Sequence, residues 1–234
     1  MTLENLDALA AWVPDGALVA LPPDNSLTPA AFARALVRAG KRELRLVGVP
    51  VSGYATDLLI GAGCVASVQT SGVSLGEAGF APCFTRALAA GQVKVIDNPF
   101  AASGDPIVLL PALQPDIAVF HAVMADPDGN VWVGKRRELA TIAHAARRVL
   151  VTVERLTDGN LLDDDQLAPG TISGTYVDAV ALAERGAWPI ALLDEYGFDA
   201  AHMAEYAKLA RSEDGFRAYL DRYVLTPPAR AAAE

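Results

Sequence analysis

Short, strand-like apolar runs alternate with longer Ala- and Leu-rich amphipathic stretches along this chain. That alternation is typical of βαβ units, which close into a parallel sheet covered by helices. The predicted strands are 17–21, 44–49, 65–69, 93–96, 117–122, 131–133, 149–153 and 177–182. The predicted helices are 3–12, 29–39, 56–62, 82–90, 140–146, 200–209 and 214–223. The sequence therefore predicts an α/β fold, with an open, mostly parallel sheet and helices on both of its faces.

The length of the chain bounds its domain organisation. A chain of 234 residues fits one large α/β domain better than two small ones. Its 52% hydrophobic and 20% charged residues provide enough apolar side chains for a core. We expect a single domain over residues 1–225. Residues 226–234 contain Pro-Pro and no apolar periodicity, so they are predicted to form a C-terminal tail.

The charge balance narrows the range of partners. A net charge of −9 argues against a nucleic-acid surface, because neutralising phosphates requires clustered Lys and Arg. No apolar run approaches the roughly 18–20 residues that span a bilayer, which argues against a membrane protein. The N-terminus carries acidic residues where a secretory signal is basic. We therefore expect a cytoplasmic protein.

The residue types that hold metals or nucleotides do not occur in the usual patterns. The sequence has neither a Gly-x-x-x-x-Gly-Lys-Ser/Thr loop nor a Gly-x-Gly-x-x-Gly motif after its first predicted strand. His121, His144 and His202 show no metal-ligand spacing with one another or with Cys64 and Cys83. We expect no metal and no permanently bound cofactor, and the cysteines are predicted to be small buried residues.

A few polar residues stand where predicted strands hand over to loops, the place where this architecture exposes functional groups. His121 closes a buried strand; we interpret it as a structural histidine with satisfied hydrogen bonds, the alternative being a cleft residue. Glu77 and Glu154 are the candidate carboxylates. For both, a role as a helix cap or salt-bridge partner stays open. The acidic run 163–165 is predicted to lie in a solvated loop.

One extended pattern begins with Pro111-Ala112-Leu113-Gln114-Pro115-Asp116, continues through the next predicted strand and ends at Gly129-Asn130. Supporting segments are Asp15-Gly16, Thr70-Ser71-Gly72, Val151-Thr152-Val153-Glu154, Trp188-Pro189 and Tyr196-Gly197. Together they resemble the α subunits of family I CoA-transferases, especially the glutaconate CoA-transferase-like branch. The resemblance covers nearly the whole chain.

The resemblance implies a CoA-transferase/NagB-like fold and a hetero-oligomer with a β subunit. In such enzymes two similar halves bind acyl-CoA between them, and CoA and its esters are substrates rather than permanent cofactors. A glutamate attacks the thioester, and the resulting anhydride is captured by CoA as a glutamyl thioester. An acceptor carboxylic acid then reverses the sequence. The nucleophilic glutamate is expected on the β subunit, since this chain contains neither Ser-Glu-Asn-Gly nor Glu-Ser-Gly.

Two further departures from the family pattern concern loops. The loop after the first predicted strand reads Leu21-Pro22-Pro23-Asp24-Asn25 where many α subunits have Gly-Gly-Phe, which removes backbone freedom for close contact with CoA. The region 98–111 is shorter than expected for this branch, so part of an active-site wall is expected to be absent.

The site predictions follow from the loops at 24–28, 70–80 and 125–130. If this chain contributes a carboxylate to the chemistry, we expect it to be Glu77. The predicted contacts to substrate or CoA are Asn25, Ser26, Ser71, Gly72, Gly76, Asp126, Gly129 and Asn130.

Two other functions stay open at this point. One is a subunit of a hydrolase of the same fold that opens the ring of a cyclic acyl-CoA with water. The other is a non-catalytic acyl-CoA-binding subunit, favoured by the two loop departures. An isolated chain is expected to form a homodimer, because an apolar interface left without its partner favours self-association.

Overall fold

The computed structural model describes residues 2–48, 50–96, 112–192 and 194–226. Its main sheet is open and parallel, and the predicted fold class is confirmed. The strands are β1 Thr2–Glu4, β2 Leu18–Ala20, β3 Leu44–Val47, β4 Val65–Gln69, β5 Lys94–Val95, β6 Ile117–Ala125, β7 Val131–Trp132, β8 Arg148–Leu156, β9 Thr171–Ile172 and β10 Ala179–Leu182. The α-helices are α1 Leu6–Ala11, α2 Ala30–Arg38, α3 Tyr54–Gly61, α4 Pro82–Ala89, α5 Arg137–Ala145, α6 Ala200–Leu209 and α7 Glu213–Leu220.

The strand order is β1-β10-β8-β6-β2-β3-β4-β5, and every pair along this path is parallel. After the edge strand β1, the chain enters the middle of the sheet at β2 and moves outward through β3, β4 and β5. It then returns to the other side of β2 with β6 and moves outward again through β8 and β10. The order therefore reverses between β2 and β6, and in such sheets ligands bind outside the carboxyl ends of the strands near this point.

Alternation along the central strand β6 explains the two layers of helices. Ile117 and Val119 face one apolar cluster, whereas Ala118 and Phe120 face the other, because successive side chains of a strand point to opposite faces. The first cluster contains residues of α1, α2, α3, α4, α6 and α7. The second contains residues of α5 and of the small strands β7 and β9. The sheet is thus covered on both faces.

The N-terminal segment differs from its prediction. Thr2–Glu4 forms the edge strand β1, paired with β10, and the helix begins only at Leu6. The Asn5 side chain accepts a hydrogen bond from the Ala8 N–H and caps the helix start. The predicted helix over 3–12 was therefore wrong in its first residues, since the apolar spacing of Leu3 does not reveal the cap that follows.

The region after β6 agrees with the predicted return hairpin. Strands β6 and β7 pair antiparallel, with Met124 opposite Trp132 and Ala125 opposite Val131. Strand β9, which the sequence patterns did not predict, extends this hairpin. The region 98–111 and all but the first residue of the predicted tail lie outside the described residues. Among the helices that the structure describes, none is both long and apolar enough to cross a membrane.

Candidate active site

A cavity of about 740 Å³ opens beside the point where the strand order reverses. The carboxyl ends of parallel strands lie at one edge of a sheet, so the loops that follow β2, β3 and β4 converge there. The lining residues are Pro23, Asp24, Asn25, Leu27, Val51, Ser52, Gly53, Ser74, Leu75, Gly76, Glu77, Arg136, Ile190, Ala191 and Phe198. Seven of these residues are apolar, two are glycines and six are polar or charged, so apolar side chains and polar groups share the wall, as in many small-molecule sites.

Asp24 is the carboxylate that the fold holds most firmly in this wall. Its Oδ2 accepts the backbone N–H of Tyr54 at 2.8 Å, and its Oδ1 accepts the Thr28 hydroxyl at 3.2 Å. Burial disfavours the charged form and raises the pKa of Asp24 to about 6, with a smaller contribution from the negative charge of Asp57. A Cβ on Gly53 would overlap the Asp24 carboxyl group, so only glycine permits this approach to the start of α3.

Ser52 lies in the same wall and joins two loops. Its N–H donates to the Gly72 carbonyl oxygen at 2.9 Å, and Ser52 forms an isolated parallel bridge with Val73. The side chain is buried, but among the described residues its hydroxyl has no hydrogen-bond partner. An unpaired buried hydroxyl costs about 1–3 kcal/mol, so this group favours a polar partner brought by a ligand.

Glu77 reaches the cavity from a 3₁₀ turn over Gly76–Ala78. Gly76 and Gly79 have φ values of +62° and +96°, which L side chains rarely adopt, so glycines are needed for this turn. Gly76 and Glu77 are exposed, and so is Asn25 on the neighbouring loop. Arg136, from the segment before α5, is the cation among the residues that line the cavity.

A second polar cluster lies within the neighbouring strands β6 and β8. His121 is fully buried, and its Nε2 lies 2.7 Å from Glu154 Oε1 while its Nδ1 lies 2.8 Å from the Thr152 hydroxyl. Tyr196 donates its hydroxyl to the same glutamate at 2.6 Å. Both ring nitrogens are thus bonded, and the prediction of a satisfied structural histidine is confirmed.

The Glu154 carboxylate also accepts two backbone N–H groups, from Arg185 at 2.6 Å and from Gly186 at 2.9 Å. Burial by itself would raise the pKa of Glu154, but the hydrogen bonds from His121 and Tyr196 outweigh it and hold the pKa below its usual range. Glu154 does not line the cavity. It anchors the segment that carries Ile190 and Ala191 to the cavity wall, which is the role of a structural salt-bridge partner.

The polar residues of the hairpin form a third, closed cluster. Asp126 accepts the N–H of Asn130 at 2.9 Å and that of Leu161 at 2.8 Å. Asn130 accepts the Gly174 N–H at 2.8 Å. Asp126, Gly129 and Asn130 are buried in this network and do not line the cavity. Their predicted contacts with substrate or CoA stay predictions, and the structure gives them a role in holding the hairpin.

The remaining predicted residues divide in two. Asn25, Gly76 and Glu77 line the cavity, as their loops suggested. Ser26 is fully buried beside it and donates its hydroxyl to Glu138, and Ser71 donates to the Pro50 carbonyl oxygen at an exposed position. Gly72 lies behind the wall, where its carbonyl group holds Ser52.

The sequence patterns predicted the loop 24–28 without singling out Asp24, and they did not predict Ser52, Arg136 or Phe198 as lining residues. Asp24 stands in the loop that departs from the family pattern, directly after the first strand of the sheet centre. A carboxylate in the loop after a central strand is a candidate site residue in such a sheet, so its position was the signal that could have identified it. For metals, no group of three His, Cys, Asp or Glu side chains able to hold an ion occurs in the part of the chain that the structure describes.

Comparison with curated proteins finds three informative relatives. The chain is 36% identical to the α subunit of glutaconate CoA-transferase of Acidaminococcus fermentans over 135 residues, which are 57% of this chain and 41% of that protein. It is 28% identical to the α subunit of 3-oxoadipate CoA-transferase of Pseudomonas knackmussii, covering 93% of this chain and 91% of that one. A cholesterol ring-cleaving hydrolase subunit, IpdA, of Mycobacterium tuberculosis is 26% identical over 58% of this chain and 48% of its own length.

The chain thus spans about half the length, or less, of two of these relatives. No model of a protein family matches it. Among solved structures, glutaconate coenzyme A-transferase from Acidaminococcus fermentans superposes with a TM-score of 0.86 at 23% identity, over 96% of this chain and 89% of that chain. The decarboxylase AibA/AibB gives a TM-score of 0.79 at 24% identity, over 94% and 98%. The resemblance to CoA-transferase α subunits and the CoA-transferase fold are both confirmed.

Proposed function

We propose that this chain is the α subunit of a heteromeric CoA-transferase that moves CoA between acyl-CoA thioesters and free carboxylic acids. The observation that carries this proposal is the position of the cavity. It lies at the carboxyl ends of the central strands, in a chain similar along nearly its full length to the α subunit of 3-oxoadipate CoA-transferase. CoA and its esters enter as substrates.

The cavity wall of this chain provides an apolar surface for the acyl group of a bound thioester. Its apolar residues keep bulk water away from the acyl group and the reacting carbonyl, which slows hydrolysis of a reactive anhydride. The nucleophilic glutamate comes from the β subunit. It attacks the thioester carbonyl carbon and displaces the CoA thiolate, which then attacks the anhydride to give glutamyl-CoA and release the acid. The acceptor carboxylate then attacks glutamyl-CoA, and the same two steps run in reverse to give the new acyl-CoA and the free glutamate.

Exposed apolar side chains around the cavity mouth support a partner there. Phe80 is 90% exposed and pairs with Ser74 of the wall, while Val51 and Phe198 are 39% and 42% exposed. A cluster of exposed large apolar groups beside a cavity is typical of a surface that another chain covers. We assign this surface to the β subunit. In its absence, a homodimer is expected to cover the same groups.

Charge fits the same assignment. Arg136 in the cavity lining offers a cation to a CoA phosphate or to an acyl carboxylate. One cation is enough to bind a small anionic ligand. The net charge of −9, in contrast, argues against binding of a nucleic acid. We place the protein in the cytoplasm, where CoA esters are made and used.

The first test is co-expression with the product of the adjacent reading frame, followed by size-exclusion chromatography and a thioester-transfer assay. Acyl donors and acceptor acids are varied independently. We expect a stable heteromer that forms a new acyl-CoA only when both a donor and an acceptor are present. A heteromer that consumes CoA esters but forms no new acyl-CoA when an acceptor acid is present would contradict transfer, and an inactive complex that binds them would favour a binding subunit.

Glu77 gives a sharper test within that complex. If this chain contributes a carboxylate to transfer, replacing Glu77 with alanine lowers kcat by about 10²-fold or more, the range for a lost acid–base group. Asp165→Ala, in the exposed acidic run 163–165, is the control and leaves kcat unchanged. Full transfer activity in the Glu77→Ala complex would remove this residue from the chemistry.

A ring-opening hydrolase is the second candidate. The similarity to the cholesterol ring-cleaving hydrolase subunit favours it, as does the carboxyl group of Asp24 in the cavity wall. The two functions differ in their requirements. Transfer conserves the thioester and needs an acceptor acid, whereas ring opening needs only water and a cyclic acyl-CoA.

A further inference from the structure

Two aspartates cap helices in the same way, but only one of them reaches the cavity. Asp24 accepts the Tyr54 N–H at the start of α3, and Asp57 accepts the Phe84 N–H at the start of α4, at 2.7 Å. Asp57 is fully buried and also accepts the Tyr206 hydroxyl at 2.7 Å. Asp24 lines the 740 Å³ cavity. A cap therefore explains Asp57 completely and explains Asp24 only in part.

The Asp24 carboxyl group keeps capacity for a ligand. An ionised carboxylate offers about four acceptor positions, and its two oxygens use one each for Tyr54 and Thr28. In the same wall, the Ser52 hydroxyl has no partner among the described residues. A water molecule in the cavity can donate to a free acceptor position of Asp24, since bound waters typically make about three hydrogen bonds.

The charged groups around Asp24 set its proton affinity. Asp57 faces it from α3, Glu77 lines the cavity from the 3₁₀ turn after β4, and Arg136 lines it from the segment before α5. Burial dominates these influences and raises the pKa of Asp24 to about 6. A carboxyl group in this range is mostly ionised at pH 7 and still basic enough to take a proton, which is what a general base requires.

We propose that Asp24 is a catalytic acid–base residue, through which the cavity hydrolyses CoA thioesters with water in place of an acceptor acid. This activity rests on the proposed function only in requiring that acyl-CoA binds in the cavity. It does not need the glutamate of the β subunit.

The step balances without any further reactant. The Asp24 carboxylate takes a proton from water as the water oxygen forms a bond to the thioester carbonyl carbon. The tetrahedral intermediate collapses with cleavage of the carbon–sulfur bond, and the Asp24 carboxyl group returns the proton to the departing thiolate. The products are a carboxylic acid and CoA thiol, and Asp24 ends as a carboxylate.

The test measures thiol release by the assembled complex without acceptor acid, using acetyl-, glutaryl- and octanoyl-CoA between pH 4.5 and 8. We expect the rate to fall about tenfold per pH unit below about 6, because the base becomes protonated. Asp24→Asn is expected to lower the rate about 10²-fold or more. Asparagine still accepts the Tyr54 N–H, so the cap and the fold persist.

Asp57→Asn is the matched control, because it neutralises the other helix-capping aspartate without touching the cavity. It keeps the wild-type rate at pH 7, and its pH profile moves to slightly lower pH, because removing the negative charge of Asp57 lowers the pKa of Asp24. Binding of each CoA ester is measured by calorimetry for all three proteins. Equal hydrolysis by wild type and Asp24→Asn, or transfer without any hydrolysis in the wild type, would overturn the role of Asp24 and leave the transferase intact. Failure of all three proteins to bind the CoA esters would overturn both proposals.

Discussion

The two halves of the carboxyl edge of this sheet are built differently. In β6, in β8 and in the turn that follows β6, the polar groups of His121, Glu154, Asp126 and Asn130 are buried or partly buried, and they are bonded to one another or to backbone N–H groups. After β2, β3 and β4, the loops enclose a cavity in which Asp24 keeps free acceptor positions.

The difference separates structural polar residues from functional ones on the same edge. A buried polar group whose hydrogen bonds are all satisfied by its own chain stabilises the fold and has nothing left for a ligand. A group that the chain satisfies only in part, at the wall of a cavity, can take a ligand atom as its missing partner. By this criterion the loops after β2, β3 and β4 form the reactive half, and the loops after β6 and β8 form the supporting half.

The largest expected effect tests the supporting half. Glu154→Ala removes the acceptor for His121, Tyr196 and two backbone N–H groups, and we expect the free energy of unfolding to fall by about 3–5 kcal/mol. Urea denaturation at pH 7 measures this loss. The control Glu195→Ala removes an exposed ion pair with Arg155 and is expected to cost under about 1 kcal/mol. Equal losses of unfolding free energy in the two variants would show that the hydrogen bonds of Glu154 do not stabilise the fold more than an exposed ion pair does.

The pH dependence of stability is expected to have opposite signs in the two halves. The folded-state pKa of Asp24 lies above its unfolded value of 3.8, so its contribution is greatest below pH 3.8 and is lost as the pH rises to about 6, by up to about 3 kcal/mol. The pKa of Glu154 is lowered from 4.5, so its contribution is present above pH 4.5 and lost as the pH falls.

Urea unfolding between pH 3.5 and 7 measures both signs. Relative to Asp24→Asn, the wild type is expected to lose stability between about pH 4 and 6 and to change little above that range. Relative to Glu154→Gln, the wild type is expected to gain stability over the rise from about pH 3.5 to 5. Parallel curves for a variant and the wild type would mean that the residue titrates alike in the folded and unfolded chains.

The smallest expected effect on stability concerns the cavity mouth. Phe80→Ser replaces a side chain that is 90% exposed, so the free energy of unfolding changes by no more than about 0.5 kcal/mol. Association with the β subunit is expected to weaken about tenfold or more, the size of an aromatic anchor at an interface. Leu88→Ser on α4, 48% exposed and away from the cavity, is the control and leaves association unchanged. Equal affinities would move the interface elsewhere.

Local patterns predicted the elements better than the site. The apolar runs placed β4 and α6 at their observed bounds and identified the return hairpin, because burial alternates with the period of each element. They misplaced the start of the chain, where an edge strand depends on pairing with β10. Glycine-rich spacing singled out the loop around Glu77, which lines the cavity, since glycines mark positions that need positive φ.

The sequence by itself determined the fold class, the resemblance to CoA-transferase α subunits and the loop that carries Glu77, because each is encoded in residues close together along the chain. Only the tertiary structure decided which carboxylates are free. Asp24 meets Tyr54 and Glu154 meets His121, across separations of 30 and 33 residues. Those meetings follow from the strand order, which brings distant strand ends to one edge of the sheet, and no local period in the sequence encodes which loops become neighbours.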